Sequence, residues 1–354
     1  MNAQFTQHNL IFKQASGTSR GVLTTKETYL LEISENNKKG IGECAIFRGL
    51  SYDDVPDYEE KLTWLCKNIN LDFEVLKKEL LHYPSIIFGL EQALLNLQHG
   101  EDLYFPSDFT DGKDSIKING LIWMGNADFM QSQIEEKLAK GFDCIKLKIG
   151  VDWKSEKEII KKLREKFPKE QLELRVDANG AFSYEEATIV LQELADLGIH
   201  SIEQPIKKSQ VKTKKSQKTD EINSTDYCVP WNEMAKLCAE TPTPIALDEE
   251  LIGIIDFEEK KKLLVTIKPQ YIILKPALVG GFSGSDEWIA IAESLGINWW
   301  ITSALESNIG LNAICQYTYT KKNPLPQGLG TGALFTNNFE THLQLEGDQM
   351  WHKK

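Results

Sequence analysis

From about residue 113 onward the chain repeats one pattern, a short apolar run followed by an amphipathic helical stretch. The runs are SIKINGLIW, CIKLKIG, LELRVDAN, SIEQPI, PIALDEEL, YIILKPAL and NWWITSAL, with a weaker eighth near PQGLGTG. Stretches such as DFMQSQIEEKLAKG, SEKEIIKKLREKF, SYEEATIVLQELADLG and SDEWIAIAESLG lie between them. Several neighbouring runs are about 26–28 residues apart centre to centre, the length of one βα unit. Repeated βα units build a parallel sheet, and about eight of them close into a barrel. The expected fold class is therefore α/β, a TIM-type (β/α)7β barrel over residues 113–332.

Residues 1–112 have a different texture. FKQASGTSRGVLTTKETYLLEISENNKKGIGECAIF reads as antiparallel strands with a hairpin turn at NNKKG. Helical stretches follow at about 54–82 and 85–99. This is a smaller α+β domain, expected to be completed by residues 333–354. One interval of the barrel pattern is long: KKSQVKTKKSQKTDEINSTD follows SIEQPI. Its polar, lysine-rich composition predicts a solvated, mobile loop over about 207–222 on the face that carries function.

Composition excludes several classes. The net charge of −12, with no dominant basic face, argues against a nucleic-acid partner. No apolar run approaches the roughly 18 residues that span a bilayer. The stretch MNAQFTQHNLIFKQASG has neither a basic n-region nor an apolar h-region, so a cytoplasmic protein is expected. The six cysteines (Cys44, Cys66, Cys144, Cys228, Cys238 and Cys315) form no CxxC pair and read as free, mostly buried thiols.

The acids fall at the strand ends. LELRVDANG ends in Asp177 and Asn179, SIEQP in Glu203 and Gln204, and IALDEE in Asp248 and Glu249. YIILKP then offers Lys275, and WITSALES offers Ser303 and Glu306. In a parallel barrel the C-terminal strand ends share one rim, so Asp177, Glu203 and Asp248 should converge. Taken singly, each acid reads equally well as a helix N-cap. As an ordered set flanked by lysines they form an oxygen-only donor group, costly to assemble unless a cation compensates, and suited to Mg²⁺. In CIKLKIG, Ile145, Leu147 and Ile149 alternate with Lys146 and Lys148. Because helices cover the outside of a barrel, the lysines should point inward. A second cation beside Lys148 would lower its pKa and make it a general base. Lys275 is either a second base or a fixed cation. Together these groups suggest proton abstraction next to a carboxylate, with Mg²⁺ stabilising the enediolate.

These residues carry a resemblance. KLK at 146–148, DANGAF at 177–182, IEQP at 202–205, LDEE at 247–250 and LKP at 274–276 are similar to the enolase superfamily, muconate-lactonizing branch. ITSALESNIGLNAI at 301–314 resembles the seventh-strand signature of the o-succinylbenzoate synthases, and GECAIFRGLS at 42–51 resembles their capping-domain specificity loop. The resemblance implies that residues 1–112 cap the barrel. It implies that Asp177, Glu203 and Asp248 hold Mg²⁺, with Mn²⁺ as a substitute. Lys148 is then the base, Lys146 its tuning partner and Lys275 the cation facing the enediolate. Ser303, Asn179, Glu306, Arg48 and Ser51 are the implied contacts to a small carboxylate substrate. The implied reaction is syn dehydration of 2-succinyl-6-hydroxy-2,4-cyclohexadiene-1-carboxylate, a step of menaquinone biosynthesis. N-acylamino acid racemase and dipeptide epimerase remain alternatives. The epimerases of the branch carry an Asp-x-Asp pair where this chain reads TSALES. A non-catalytic ligand-binding barrel is a distant alternative. QGLGTGAL at 327–334 reads as backbone that turns tightly or passes close to substrate.

Overall fold

The computed structural model describes residues 1–18, 21–123, 125, 127–209 and 231–354. Residues 210–230 hold most of the expected lysine-rich loop, together with Cys228, and fall outside the described residues.

The chain begins with an antiparallel meander of β1 (Asn2–Thr18), β2 (Gly21–Glu35) and β3 (Lys38–Cys44). Glu35 pairs with Lys38, and Asn36 and Asn37 turn the chain between them with φ of 48° and 66°. Asparagine tolerates that left-handed pair, whose twist matches the flanking strands. Three helices follow: α1 (Tyr58–Asn68), α2 (Phe73–Glu79) and α3 (Pro84–His99). Helix α3 lies directly on β3. A Cβ at Gly42 would stand 2.0 Å from the carbonyl oxygen of Gly89, so only glycine permits this approach. Tyr29, Leu31, Ile33, Leu62, Leu65, Ile86 and Leu90 fill the core between sheet and helices.

The barrel strands are β5 (Gly120–Ile122), β6 (Cys144–Lys148), β7 (Glu173–Asp177), β8 (Ser201–Glu203), β9 (Ile245–Leu247), β10 (Tyr271–Leu274) and β11 (Asn298–Ile301). They pair in that order, all parallel. Parallel bridges from Gln327 to Ile118 and from Gly328 to Thr302 supply a short eighth strand and close the ring. The intervening helices are α4 (Ala127–Ala139), α5 (Trp153–Lys166), α6 (Tyr184–Asp196), α7 (Asn232–Glu240), α8 (Phe257–Ile267), α9 (Pro276–Val279), α10 (Gly281–Ser294) and α11 (Asn308–Thr320). Their starts follow sequence chemistry. Ser183 and Glu186 form a reciprocal capping box on α6, and Asp152, Asp256 and Ser307 cap α5, α8 and α11.

Period-two alternation sorts the strand residues. Ile145, Leu147 and Ile149 join the large core between sheet and helices, where truncating one such side chain to alanine costs about 2–5 kcal/mol. Residues of the opposite parity fill the barrel interior. Ala246, Ile273 and Trp300 form a separate apolar plug, and the Arg175 guanidinium lies 4.3 Å over the Trp300 ring.

Two glutamates of the N-terminal domain cap helices of the barrel. Glu91 on α3 accepts hydrogen bonds from the backbone N–H groups of Phe282 (2.5 Å) and Ser283 (3.1 Å) at the start of α10. Glu43 on β3 accepts from the N–H groups of Ser307 and Gly310 (both 3.0 Å) and from the Ser307 hydroxyl (2.6 Å) at the start of α11. Each carboxylate meets the positive end of a helix, where anions are favoured. The chain end divides between two neighbours. Residues 334–336 hydrogen-bond along β1, whereas the hairpin of β12 (Leu343–Glu346) and β13 (Gln349–His352) pairs with β4 (Ile116–Lys117). Among the described residues Cys44, Cys66, Cys144, Cys238 and Cys315 are free thiols, and no helix is long and apolar enough to cross a membrane.

Candidate active site

With the eighth strand counted, β6 and β10 stand four places apart in a ring of eight, and therefore face each other across the barrel. Lys148 ends β6, and Lys275 directly follows β10. Between them, on one side of the ring, come the ends of β7, β8 and β9. Strand register pairs Lys148 with Asp177 and Asp177 with Glu203, and Asp248 lies just beyond β9. The three acids are each 2% exposed.

Ammonium groups stand among the carboxylates. Lys146 is 3.0 Å from Asp177 and also bonds Glu203. Lys275 bonds Asp248 and lies 3.8 Å from Glu203. Lys148 donates to the Asn179 amide oxygen at 2.6 Å and to Asp177 at 3.3 Å. Burial pushes the Glu203 carboxyl up, the Asp177 charge adds to this, and the group reaches about 7. Burial likewise raises Asp248, despite Lys275 beside it. Burial would also raise Asp177, but Lys146, Lys148 and Lys275 outweigh it and hold that acid well below the usual carboxylate range. Burial alone would lower Lys146 and Lys275, but their carboxylate partners keep both above the ordinary lysine value.

The donor set fits a hard dication. It consists of carboxylate oxygens, and Glu203 Oε1 is buried without a hydrogen-bond partner among the described residues. Among the described residues, the three-donor group whose ligand atoms lie within 4.8 Å of one another is elsewhere, at Asp102, His342 and His352.

A cavity of about 840 Å³, open to solvent, is lined by Asp177 and the three lysines, whereas Glu203 and Asp248 are not part of its lining. Lys146, Lys148, Asp177, Glu249 and Lys275, with the neutral amide of Asn179 among them, form its charged arc. The opposite arc is neutral: Thr302, Ser303, Ala304 and Leu305 after β11, Gly328, Gly330 and Thr331 around the eighth strand, Leu121 from β5 and Trp123 just after it. Phe47 and Leu50 reach in from the N-terminal domain. Ser303 is fixed by a 2.6 Å hydrogen bond to the Thr331 hydroxyl. Three non-glycine residues at this mouth adopt left-handed backbone: Asn179 (φ 45°), Gln204 (φ 40°) and Leu305 (φ 62°). Such conformations cost about 1–3 kcal/mol each and cluster at functional sites. Gln204 shows one support. Its amide oxygen accepts from the N–H groups of Asp248 (3.3 Å) and Glu250 (3.2 Å), setting the loop that carries Asp248.

Three expected substrate contacts do not line the cavity. Arg48 is drawn to Glu27 and to Asp54 at 2.8 Å, on the outer side of its loop. The Ser51 hydroxyl accepts from the Phe47 N–H at 2.9 Å and shapes the turn that delivers Phe47. Glu306 is fully buried and accepts from the Ala304 N–H at 2.6 Å. Conversely, Glu249, Thr331, Trp123, Phe47 and Leu50 line the cavity although the sequence did not single them out as contacts. Glu249 stands beside Asp248 in LDEE, and Thr331 lies within the glycine-rich run, so both had a signal in the sequence.

A two-domain chain with lysines facing each other across an acidic arc of a (β/α)7β barrel defines a capped-barrel enzyme of the enolase superfamily type. Residues 130–222 match the family model "Enolase C-terminal domain-like". The chain is 42% identical to the o-succinylbenzoate synthase of Desulfotalea psychrophila, over 98% of both chains. It superposes on the crystal structure of MenC from Desulfotalea psychrophila with a TM-score of 0.84 and 39% identity, covering 99% of both chains. A dipeptide epimerase from Enterococcus faecalis, complexed with Mg and a dipeptide, shares the fold with a TM-score of 0.80 at 18% identity, over 100% of this chain and 97% of that one. The chain belongs to the o-succinylbenzoate synthase family of the enolase superfamily.

Proposed function

We propose that this enzyme dehydrates 2-succinyl-6-hydroxy-2,4-cyclohexadiene-1-carboxylate to o-succinylbenzoate in menaquinone biosynthesis, with Lys148 as the base. The observation that carries this reading is the placement of Lys148 and Lys275 on opposite sides of one cavity, joined by the carboxylate arc. Asp177, Glu203 and Asp248 would hold Mg²⁺, or Mn²⁺ as a substitute, which supplies Lewis acidity to the substrate carboxylate when bound.

The chain's own residues do the rest. Lys148 Nζ, as the neutral amine, takes the proton from the carbon α to the carboxylate. Asn179 and Asp177 fix the position of that nitrogen. Lys275 presents a permanent cation to the opposite face, where it balances the charge that develops on the carboxylate. The C–H electron pair becomes a ring double bond as the C–O bond breaks. Lys148, now an ammonium, returns its proton to the departing hydroxyl, and water leaves from the same face. Lys146 stays charged between Asp177 and Glu203 and offsets their repulsion. The neutral arc suits the succinyl arm, with Ser303 and Thr331 as hydroxyl partners for its far carboxylate. The free thiols among the described residues suit a reducing compartment such as the cytoplasm.

The test is a parallel assay of the cyclohexadiene substrate and an N-succinylamino acid with Mg²⁺ present. Dehydration that exceeds racemisation and vanishes in Lys148→Ala supports the reading. Racemisation without dehydration overturns it.

A further inference from the structure

A second cluster lies away from the cavity. Asp102 follows α3, His342 precedes β12 and His352 ends β13. His342 Nδ1 lies 2.7 Å and His352 Nε2 3.0 Å from the same oxygen, Asp102 Oδ2. The Asp102 carbonyl accepts from Asn312 (2.9 Å) and Gln316 (2.8 Å), which places the cluster beside the middle of α11, not at its mouth-facing start. None of the three residues lines the cavity.

As a hydrogen-bonded clip the cluster is incomplete. Asp102 Oδ1 and His352 Nδ1 are buried and have no partner among the described residues. An unsatisfied buried polar atom costs about 1–3 kcal/mol.

We infer that Asp102, His342 and His352 form a binding site for a first-row transition dication such as Zn²⁺ or Co²⁺, separate from the Mg²⁺ site at the barrel mouth. Two imidazoles and a carboxylate are donors that such ions prefer, whereas Mg²⁺ selects oxygen. The three ligand atoms already lie within 4.8 Å of one another. Bonds of about 2.0–2.2 Å in tetrahedral geometry need donors about 3.3–3.5 Å apart, so the two imidazole nitrogens, now 2.7 and 3.0 Å from Asp102 Oδ2, would withdraw from it by roughly 0.3–0.8 Å. The unpaired Asp102 oxygen is then available to the ion. His342, whose side chain is 44% exposed, leaves the outer coordination position to solvent. The ion would tie together three segments separated by up to 250 residues, so its role is structural.

The full chain is stripped with chelator, saturated with Mg²⁺ and titrated with Co²⁺. The expected result is one equivalent of Co²⁺ with an intense visible d–d band, together with a higher melting temperature in Zn²⁺. In His342→Ala the affinity falls by more than about a hundredfold, beyond the 10–100-fold cost of losing an outer-shell partner. Dehydration in that variant is unchanged. Glu203→Gln, which alters only the mouth, keeps the band. A band that is absent in the wild type, survives in His342→Ala or disappears in Glu203→Gln overturns the inference.

Discussion

At the barrel mouth Asp177, Glu203 and Asp248 face three lysines, whereas beside α11 the single carboxylate of Asp102 faces two imidazoles. Both regions balance negative with positive groups, yet their electrostatics run in opposite directions. Glu203 is pushed up to about 7, and Asp102 is held well below the usual range. The difference lies in crowding. Glu203 is buried beside other acids, so its ionised form is disfavoured even with cations in contact. Asp102 is half-buried and has no acidic rival in its cluster. Crowded oxygens gain from an added dication or a proton. Around the lone Asp102 carboxylate the donors added are imidazole nitrogens instead.

Four measurements test that contrast. The largest effect is expected for Lys148→Ala: turnover should fall by about 10⁴-fold while Mg²⁺ affinity by calorimetry stays within a few-fold. Removal of the metal comes next. EDTA should abolish dehydration, Mg²⁺ should restore it, and Glu203→Gln should need far more Mg²⁺ for half-activation. Asp102→Asn should leave that Mg²⁺ dependence unchanged.

The third measurement follows melting temperature against pH in Mg²⁺-free protein. The folded Glu203 carboxyl, at about 7, lies above its ordinary value of 4.5, so the folded state binds more protons between the two. Its stabilising contribution is present below about 4.5 and is lost as pH rises through 7. Melting temperature should therefore fall over that interval by several degrees, and saturating Mg²⁺ should remove the decline. Asp102 has the opposite sign: its contribution is present above the ordinary carboxylate value near 3.8 and is lost at lower pH. The smallest effect is expected for Arg48→Ala. Its ion pairs are partly exposed and lie outside the cavity, so kcat/KM should change by less than about threefold and stability by about 0–1 kcal/mol.

The barrel was legible because two periodicities act together. The βα spacing orders the strands, and alternation within CIKLKIG leaves Lys146 and Lys148 no covered apolar side to share. The strand-end acids follow from that geometry. The eighth strand was fainter, since among the described residues only Gln327 and Gly328 bridge to its neighbours. Contacts from the capping loop were harder. A sequence can place residues 42–51 near the mouth, but the turn held by Ser51 turns Phe47 and Leu50 inward and leaves Arg48 outside. The Asp102 cluster had no local signal at all, because its members lie 240 residues or more apart from Asp102 and meet only when the last hairpin pairs with β4.

The carboxylates of Glu43 and Glu91 carry a thermodynamic consequence. Each completes a helix that belongs, by sequence, to the other domain. A barrel expressed without residues 1–112 would leave the N–H groups of Ser307, Gly310, Phe282 and Ser283 without their carboxylate acceptors and lose the Phe47 and Leu50 wall of its cavity. The N-terminal sheet with its helices and the barrel are therefore two shapes but one folding unit, and the enzyme should melt in a single cooperative transition.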